Sequence, residues 1–319
     1  MFNKSGNKLT VPFPVDDEGF TGRECPNPDC EGYFKIVFGT GLKGTTHCYC
    51  PYCGHKDEQD KFYTKDQVAY LQSVLKNYMM GEVHTMFKDL ERKHPKGRKS
   101  GFWVEAGQKP NVPIRHYREK QLETQIECST CTLKYAVYGV FAYCPDCGTH
   151  NSQQILTKNL ELAKKELDLS ATVEGEMVDY LINDALENVV SAFDGFGREV
   201  CRLYAHLSSD PTHAQDIRFQ NLVGAQKNTK KYFGFDIIVG VSSSEWDTVI
   251  RCFQKRHLLS HSMGVIDDDY IAKANDPTAI KGRKVSVTTT EVTDLIVFVE
   301  KLGSYILAEM KRLVGNTSP

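Results

Sequence analysis

No run of 18 or more apolar side chains occurs anywhere in the 319 residues, and a helix needs about that length to cross a bilayer, so no membrane partner is expected. The first twenty residues, MFNKSGNKLTVPFPVDDEGF, lack the apolar core of a secretory leader, and the expected location is cytoplasmic. Neither charge dominates: 39 Lys and Arg stand against 41 Asp and Glu, a formal net charge of −2. That balance excludes a polycation that coats nucleic acid with its whole surface and confines any such contact to local patches. The glycine-bearing stretch TGLKGTTH at 40–47 lacks the G-x-x-x-x-G-K-[ST] phosphate loop, so no nucleotide site is read there.

Cysteine is what the chain has in quantity. Nine of its eleven cysteines precede residue 150, at Cys25, Cys30, Cys48, Cys50, Cys53, Cys128, Cys131, Cys144 and Cys147, and only Cys201 and Cys252 follow. A reducing cytosol disfavours disulfides, and paired short spacings favour a metal. Cys128-Ser-Thr-Cys131 and Cys144-Pro-Asp-Cys147-Gly148 have the spacing of a zinc ribbon. The residues between, LKYAVYGVFAY, are rich in β-branched and aromatic side chains, as strands over a metal core should be. The upstream group offers six candidates for four places: Cys25, Cys30, Cys48, Cys50, Cys53 and His55. Because Cys50-Pro-Tyr-Cys53-Gly54 repeats the C-P-x-C-G form of Cys144 and Cys147, the expected ligands are Cys25, Cys30, Cys50 and Cys53, with Cys48 and His55 as alternates. Two structural zinc ions are therefore expected. Four thiolates close the coordination shell, so such ions hold structure and leave no position to activate water.

The expected architecture is multidomain α+β: a first ribbon over 1–62, a connecting helix and basic segment over 63–122, a second ribbon over 123–155, and a helical bundle over 156–319. Helical periodicity runs through 64–92, from Val68 and Leu71 to Phe87 and Leu90. The stretch from Lys93 to Lys120 holds eight Lys or Arg against two Glu, with Phe102, Trp103 and Tyr117 interspersed, which fits either a single-strand nucleic-acid surface or a solvated loop. Beyond it, helices are predicted from Leu156 to Leu169, from Thr172 through Leu207, from Ala214 to Lys230 with an end near Gly234, from Ser243 to Ser260, and from Glu291 to Leu313. Asp267, Asp268 and Asp269 read as a solvated loop, and Cys201 and Cys252 as core residues.

The fourth of these helices closes on Arg256-His257-Leu258-Leu259-Ser260-His261, followed by Gly264-Val265-Ile266-Asp267. Here the chain resembles HEPN domains, helical modules that include many prokaryotic toxin and antiviral-defence RNases, whose signature is Arg, four to six residues, then His. A long first helix, a motif closing a later helix and a long final helix agree with that arrangement over 155–319. The resemblance implies a metal-independent RNA endonuclease acting as a homodimer, with Arg256 and His261 catalytic and a 2′,3′-cyclic phosphate as product. A histidine in a last helical turn feels the negative end of the helix dipole and suits general acid–base work, while an arginine grips phosphate. Lys255 would add a phosphate contact and His257 a supporting role. Five residues of regular helix turn about 500°, setting Arg256 and His261 about 140° apart, so the pair needs help to converge. A non-catalytic nucleic-acid sensor and a zinc-ribbon adaptor that docks a partner protein are the alternatives.

Overall fold

The computed structural model describes residues 3–5, 8–94, 96, 104–109 and 111–317, with side chains between 11 and 315. Phe102 and Trp103 lie outside the described residues. The chain divides into two compact units, Met1–His150 and Asn151–Pro319. No helix among the described residues is long and apolar enough to cross a membrane.

The first unit begins with a short antiparallel pair, β1 (Asn3–Ser5) and β2 (Lys8–Thr10). Then come β3 (Phe20–Glu24) and β4 (Tyr33–Val37), the small pair β5 (His47–Tyr49) and β6 (Lys56–Glu58), helix α1 (Lys65–Lys93), and β7 (Thr124–Glu127) with β8 (Lys134–Val137). The two ribbons, expected as separate modules, share one sheet of order β3-β4-β8-β7, because β4 pairs antiparallel with β8 through Lys35 with Ala136 and Ile36 with Tyr135. A lone two-stranded hairpin buries too little to persist in water. Joined edge to edge, the two hairpins bury Phe34, Ile36, Tyr135 and Val137 in one cluster with cysteines of both groups.

Helix α1 starts at a capping box in which Thr64 accepts from the Gln67 amide and Gln67 returns a bond to the Thr64 amide. Gln67, fully buried, also donates to the Gly22 carbonyl, and Val74 is buried beside it, so the N-terminal half of α1 is fixed to the sheet. The returning chain runs back along α1: Val112 O accepts from Asn77, and Ser73 Oγ accepts from the Arg115 amide. Tyr117 packs edge-on against Tyr70, ring centroids 5.9 Å apart, with its hydroxyl buried.

The second unit is helical: α2 (Ser152–Ser170), α3 (Glu176–Tyr204), α4 (Pro211–Ala214), α5 (Leu222–Phe233), α6 (Ser243–Ser262), α7 (Asp268–Ala274) and α8 (Thr289–Thr317). Apolar side chains at helical spacing on α2, α3 and α8, among them Leu156, Leu160, Val189, Phe193, Leu302 and Ile306, meet in its core. Helix α3 continues through Gly195 and Gly197. Gly197 is required there because a Cβ would run into the ring of Phe219. Buried Cys201 and Cys252 belong to this core, and burial pushes each thiol up to about 12.

Two expectations change. The helix read from Ala214 to Lys230 is broken, because the buried carboxylate of Asp194 accepts from the amides of Phe219 (2.6 Å) and Gln220 (3.1 Å) and holds 215–221 out of helical geometry. Asn221 then caps α5 by accepting from the Gly224 amide, and Gly234 ends it in the left-handed region. The Asp267–Asp269 loop is instead the start of α7, where Asp267 accepts from the Tyr270 amide as N-cap and the next two acids sit in the first turn. Replacing Asp194 by alanine removes two charge-assisted bonds and strands two amides. The expected loss is about 2–3 kcal/mol, read as a lower urea midpoint at constant m-value.

Candidate functional site

Each cysteine group is built from two tight turns. In the first, the Cys25 amide donates to the Gly32 carbonyl, the Cys50 amide to His55 and the Gly54 amide back to Cys50. In the second, the Cys128 amide donates to Leu133, the Cys144 amide to Thr149 and the Gly148 amide to Cys144. These turns aim four sulfurs at one point. Sγ···Sγ distances are 3.7 Å for Cys25–Cys53, Cys30–Cys50 and Cys128–Cys147, and 3.5 Å for Cys131–Cys144. A tetrahedron with metal–sulfur bonds of about 2.3 Å has edges of about 3.8 Å, and a disulfide would bring sulfurs to about 2.05 Å. Both groups are thus positioned to hold a metal ion, with Cys25, Cys30, Cys50 and Cys53 in one and Cys128, Cys131, Cys144 and Cys147 in the other. Cys48 and His55 lie outside the first group: Cys48 is buried on β5, and His55 Nε2 stands 3.7 Å from Asp57.

The groups brace each other reciprocally. The Tyr49 amide, just before Cys50, donates to the Pro145 carbonyl just after Cys144, and the Tyr143 amide donates to the Pro51 carbonyl. The ring of Tyr49 lies against Gly148 and that of Tyr143 against Gly54, so each C-P-x-C-G turn is covered by a tyrosine of the other. With the β4–β8 pairing, this gives the first unit a pseudo-twofold arrangement. The repeated motif hinted at the likeness of the two halves; their contact was invisible, because it joins backbone positions about a hundred residues apart.

In the second unit, Arg256 and His261 both lie on α6, whose last residues are regular helix ending at Met263 in the left-handed region. The geometry separates them by face. Arg256, 14 % exposed, forms a two-pronged ion pair with Glu187 of α3, Nε donating to Oε2 (2.7 Å) and Nη2 to Oε1 (2.5 Å). Ser260, one turn on, donates to Glu187 Oε2 at 3.1 Å. The Arg256 hydrogen bonds, working against partial burial, hold the Glu187 carboxyl below its ordinary range. His261 instead faces His257, ring centroids 4.7 Å apart, and both are exposed. Lys255 points the other way: 6 % exposed, it donates to the Ser286 carbonyl and to Glu291 Oε1, both at 2.6 Å, which leaves it no part in an exposed phosphate contact. Asp267–Asp269 do not pair with Arg256: Asp268 is bound by Lys281 and Asp269 by Lys273. Sequence reasoning missed Glu187. Its signal was only an acid off the apolar stripe of α3, and nothing marks which cation such an acid meets.

No protein-family model, curated protein or solved structure matches the chain.

Proposed function

We propose that the chain is a metal-independent RNA endonuclease of the HEPN kind, acting as a homodimer, with two structural zinc ions in a unit that selects the RNA. The observation that carries the reading is the exposed imidazole pair His257 and His261 at the C-terminal end of α6, on the same helix as an arginine held rigid by Glu187. Cleavage requires a base to take the proton of a ribose 2′-hydroxyl as that oxygen attacks the adjacent phosphorus. It also requires an acid to protonate the 5′-oxygen as the P–O5′ bond breaks. Two imidazoles supply both, with His261 and His257 in these roles, and leave a 2′,3′-cyclic phosphate and a 5′-hydroxyl. Glu187 takes the Nε hydrogen and one Nη2 hydrogen of Arg256, leaving the second Nη2 hydrogen and the two on Nη1 to stabilise charge on the phosphorane. The zinc assignment rests on the donor set, because four thiolates in a tetrahedron suit zinc and leave no open site for catalysis.

The occupied edge of Arg256 also favours a second reading, in which the same surface holds phosphate without cutting. Wild type, Arg256→Ala and His261→Ala separate the two when incubated with single-stranded and structured RNA in EDTA, briefly enough to spare the zinc. Cleavage by wild type with cyclic-phosphate ends, falling about 100-fold or more in His261→Ala, is the expected result. An inert wild type that still binds RNA supports the sensor, and a His261→Ala protein that cuts at the wild-type rate removes catalysis from this pair.

A further inference from the structure

The first unit contains a cavity of about 330 Å³ between the start of the 39–45 loop and the second cysteine group, at the small end of the range for ligand sites. Two buried, opposite charges line it, and the exposed Lys43 is a third charge on its lining. Arg23 on β3 is 2 % exposed, and its guanidinium sits over the rings of Phe38 and Tyr63 at 4.8 and 5.2 Å. Its one hydrogen bond among the described residues runs from Nη1 to the neighbouring Gly22 carbonyl, and Glu119 acts on it electrostatically without forming an ion pair. Asp146, between Cys144 and Cys147, is 8 % exposed; its Oδ2 accepts from the Leu42 amide, and Oδ1 has no partner among the described residues. Gly41, at φ +83°, brings the loop so close to Asp146 and Leu133 that a Cβ would collide with the carboxylate. A buried guanidinium and a buried carboxylate on one cavity, unpaired with each other, is an expensive arrangement unless something bridges them.

The chemistry of the bridge is narrowed by both charges together. A bare phosphate would satisfy Arg23 but face Asp146, and an ammonium would do the reverse. The walls between, formed by Ile36, Phe38, Leu42 and Leu133, are apolar. The ligand therefore has an acceptor edge, a donor edge and a flat apolar body. Guanine has all three on one fused bicycle: O6 and N7 accept a two-pronged bond from arginine, and N1–H and the N2 amino group donate to a carboxylate. Adenine offers an amino donor beside N7 and no donor at N1, so it leaves both side chains poorly met. We propose that this cavity binds a guanine base, read by Arg23 and Asp146. It is the site through which the zinc-bearing unit selects RNA, a role that rests on the nuclease reading above. The absence of a phosphate loop at 40–47 is no obstacle, since the contacts are to base edges.

The test uses the full-length His261→Ala protein, so that binding is measured apart from cleavage, with GMP, IMP, 7-deaza-GMP and AMP by calorimetry. GMP should bind about tenfold tighter than AMP or more, with IMP, which lacks the N2 amine, and 7-deaza-GMP, which lacks N7, in between. Arg23→Gln should erase the preference. If that variant loses its metals, Leu42→Trp decides instead, because Leu42 is half exposed at the rim; bulk there should block GMP with both metals retained. Equal affinity for GMP and AMP, no GMP binding at millimolar concentration, displacement by a free amino acid, or unchanged GMP binding in Leu42→Trp would each overturn the site. An oligouridine with one central guanosine distinguishes the sources: competition with GMP assigns the base to RNA, and its failure assigns it to a free guanine nucleotide. Cleavage by wild type without GMP binding removes this site and leaves the nuclease; binding without cleavage does the opposite.

Discussion

Cys144→Ser should cost the protein its second metal and much of the order of its first unit. Cys144 is fully buried, and its sulfur lies 3.5 Å from Cys131. Removing one thiolate weakens a site whose filled form is worth on the order of 10 kcal/mol of folding, comparable to the whole stability of a typical domain. The damage should not stop at one group. The turn that carries Cys144 accepts from the Tyr49 amide through Pro145, and β8 supplies the partner edge of β4. Elemental analysis is expected to fall from two metals per chain to one or fewer, with faster amide exchange in β3 and β4. Cys48→Ser is the contrast: Cys48 lies outside the four-sulfur group, and its replacement should leave two metals in place. Retention of both metals by Cys144→Ser would refute the ligand assignment.

Phe193→Ala should have the largest effect in the helical unit. Its ring is fully buried, 5.5 Å from that of Phe219 and 6.3 Å from those of Phe196 and Phe253. One side chain thus ties α3 to α6 and to the 215–221 segment. Truncating a buried phenylalanine costs about 3–5 kcal/mol, transfer and cavity terms together, and the edge-on contacts with Phe219 and Phe253 add to it. The melting temperature is expected to fall by roughly 6–20 °C, at 2–4 °C per kcal/mol for a unit of this size. The same helix carries Glu187, so on the proposed nuclease reading cleavage should also decline below the melting transition, through a looser hold on Arg256. A melting temperature within 2 °C of wild type, a shift of less than about 1 kcal/mol, would show that this ring is not central to the core.

The features legible in the sequence were those that depend on neighbouring residues. Cys-x-x-Cys spacing with a following glycine identified both sulfur groups, and the C-P-x-C-G repeat singled out Cys50 and Cys53 over Cys48 and His55. Apolar periodicity located α1, α3, α6 and α8 to within a few residues; the capping box that Ser242 and Glu245 form at the start of α6 is a finding of the structure. What was hidden depends on distant partners. Asp194 breaks a predicted helix from 25 residues away, Glu187 takes Arg256 from 69 away, and β4 finds β8 across the whole of α1 and its return. Lys255 looked like a surface cation because lysine usually is one; it is buried because Glu291 supplies a countercharge from α8. Against a burial penalty, the Lys255 and Thr288 hydrogen bonds keep the Glu291 carboxyl below its ordinary range.

The shared sheet also sets a timetable for synthesis. All four ligands of the first group fall within residues 25–53, so that metal can be captured while the second hairpin is still untranslated. At roughly 5–20 residues per second, β4 then waits on the order of 5–20 s, its outer edge unpaired, before β8 emerges to cover it. An open edge is where strands of neighbouring chains add. With a metal bound at the first group, the nascent protein would pass through a stage already folded around the ion yet still open along one strand edge.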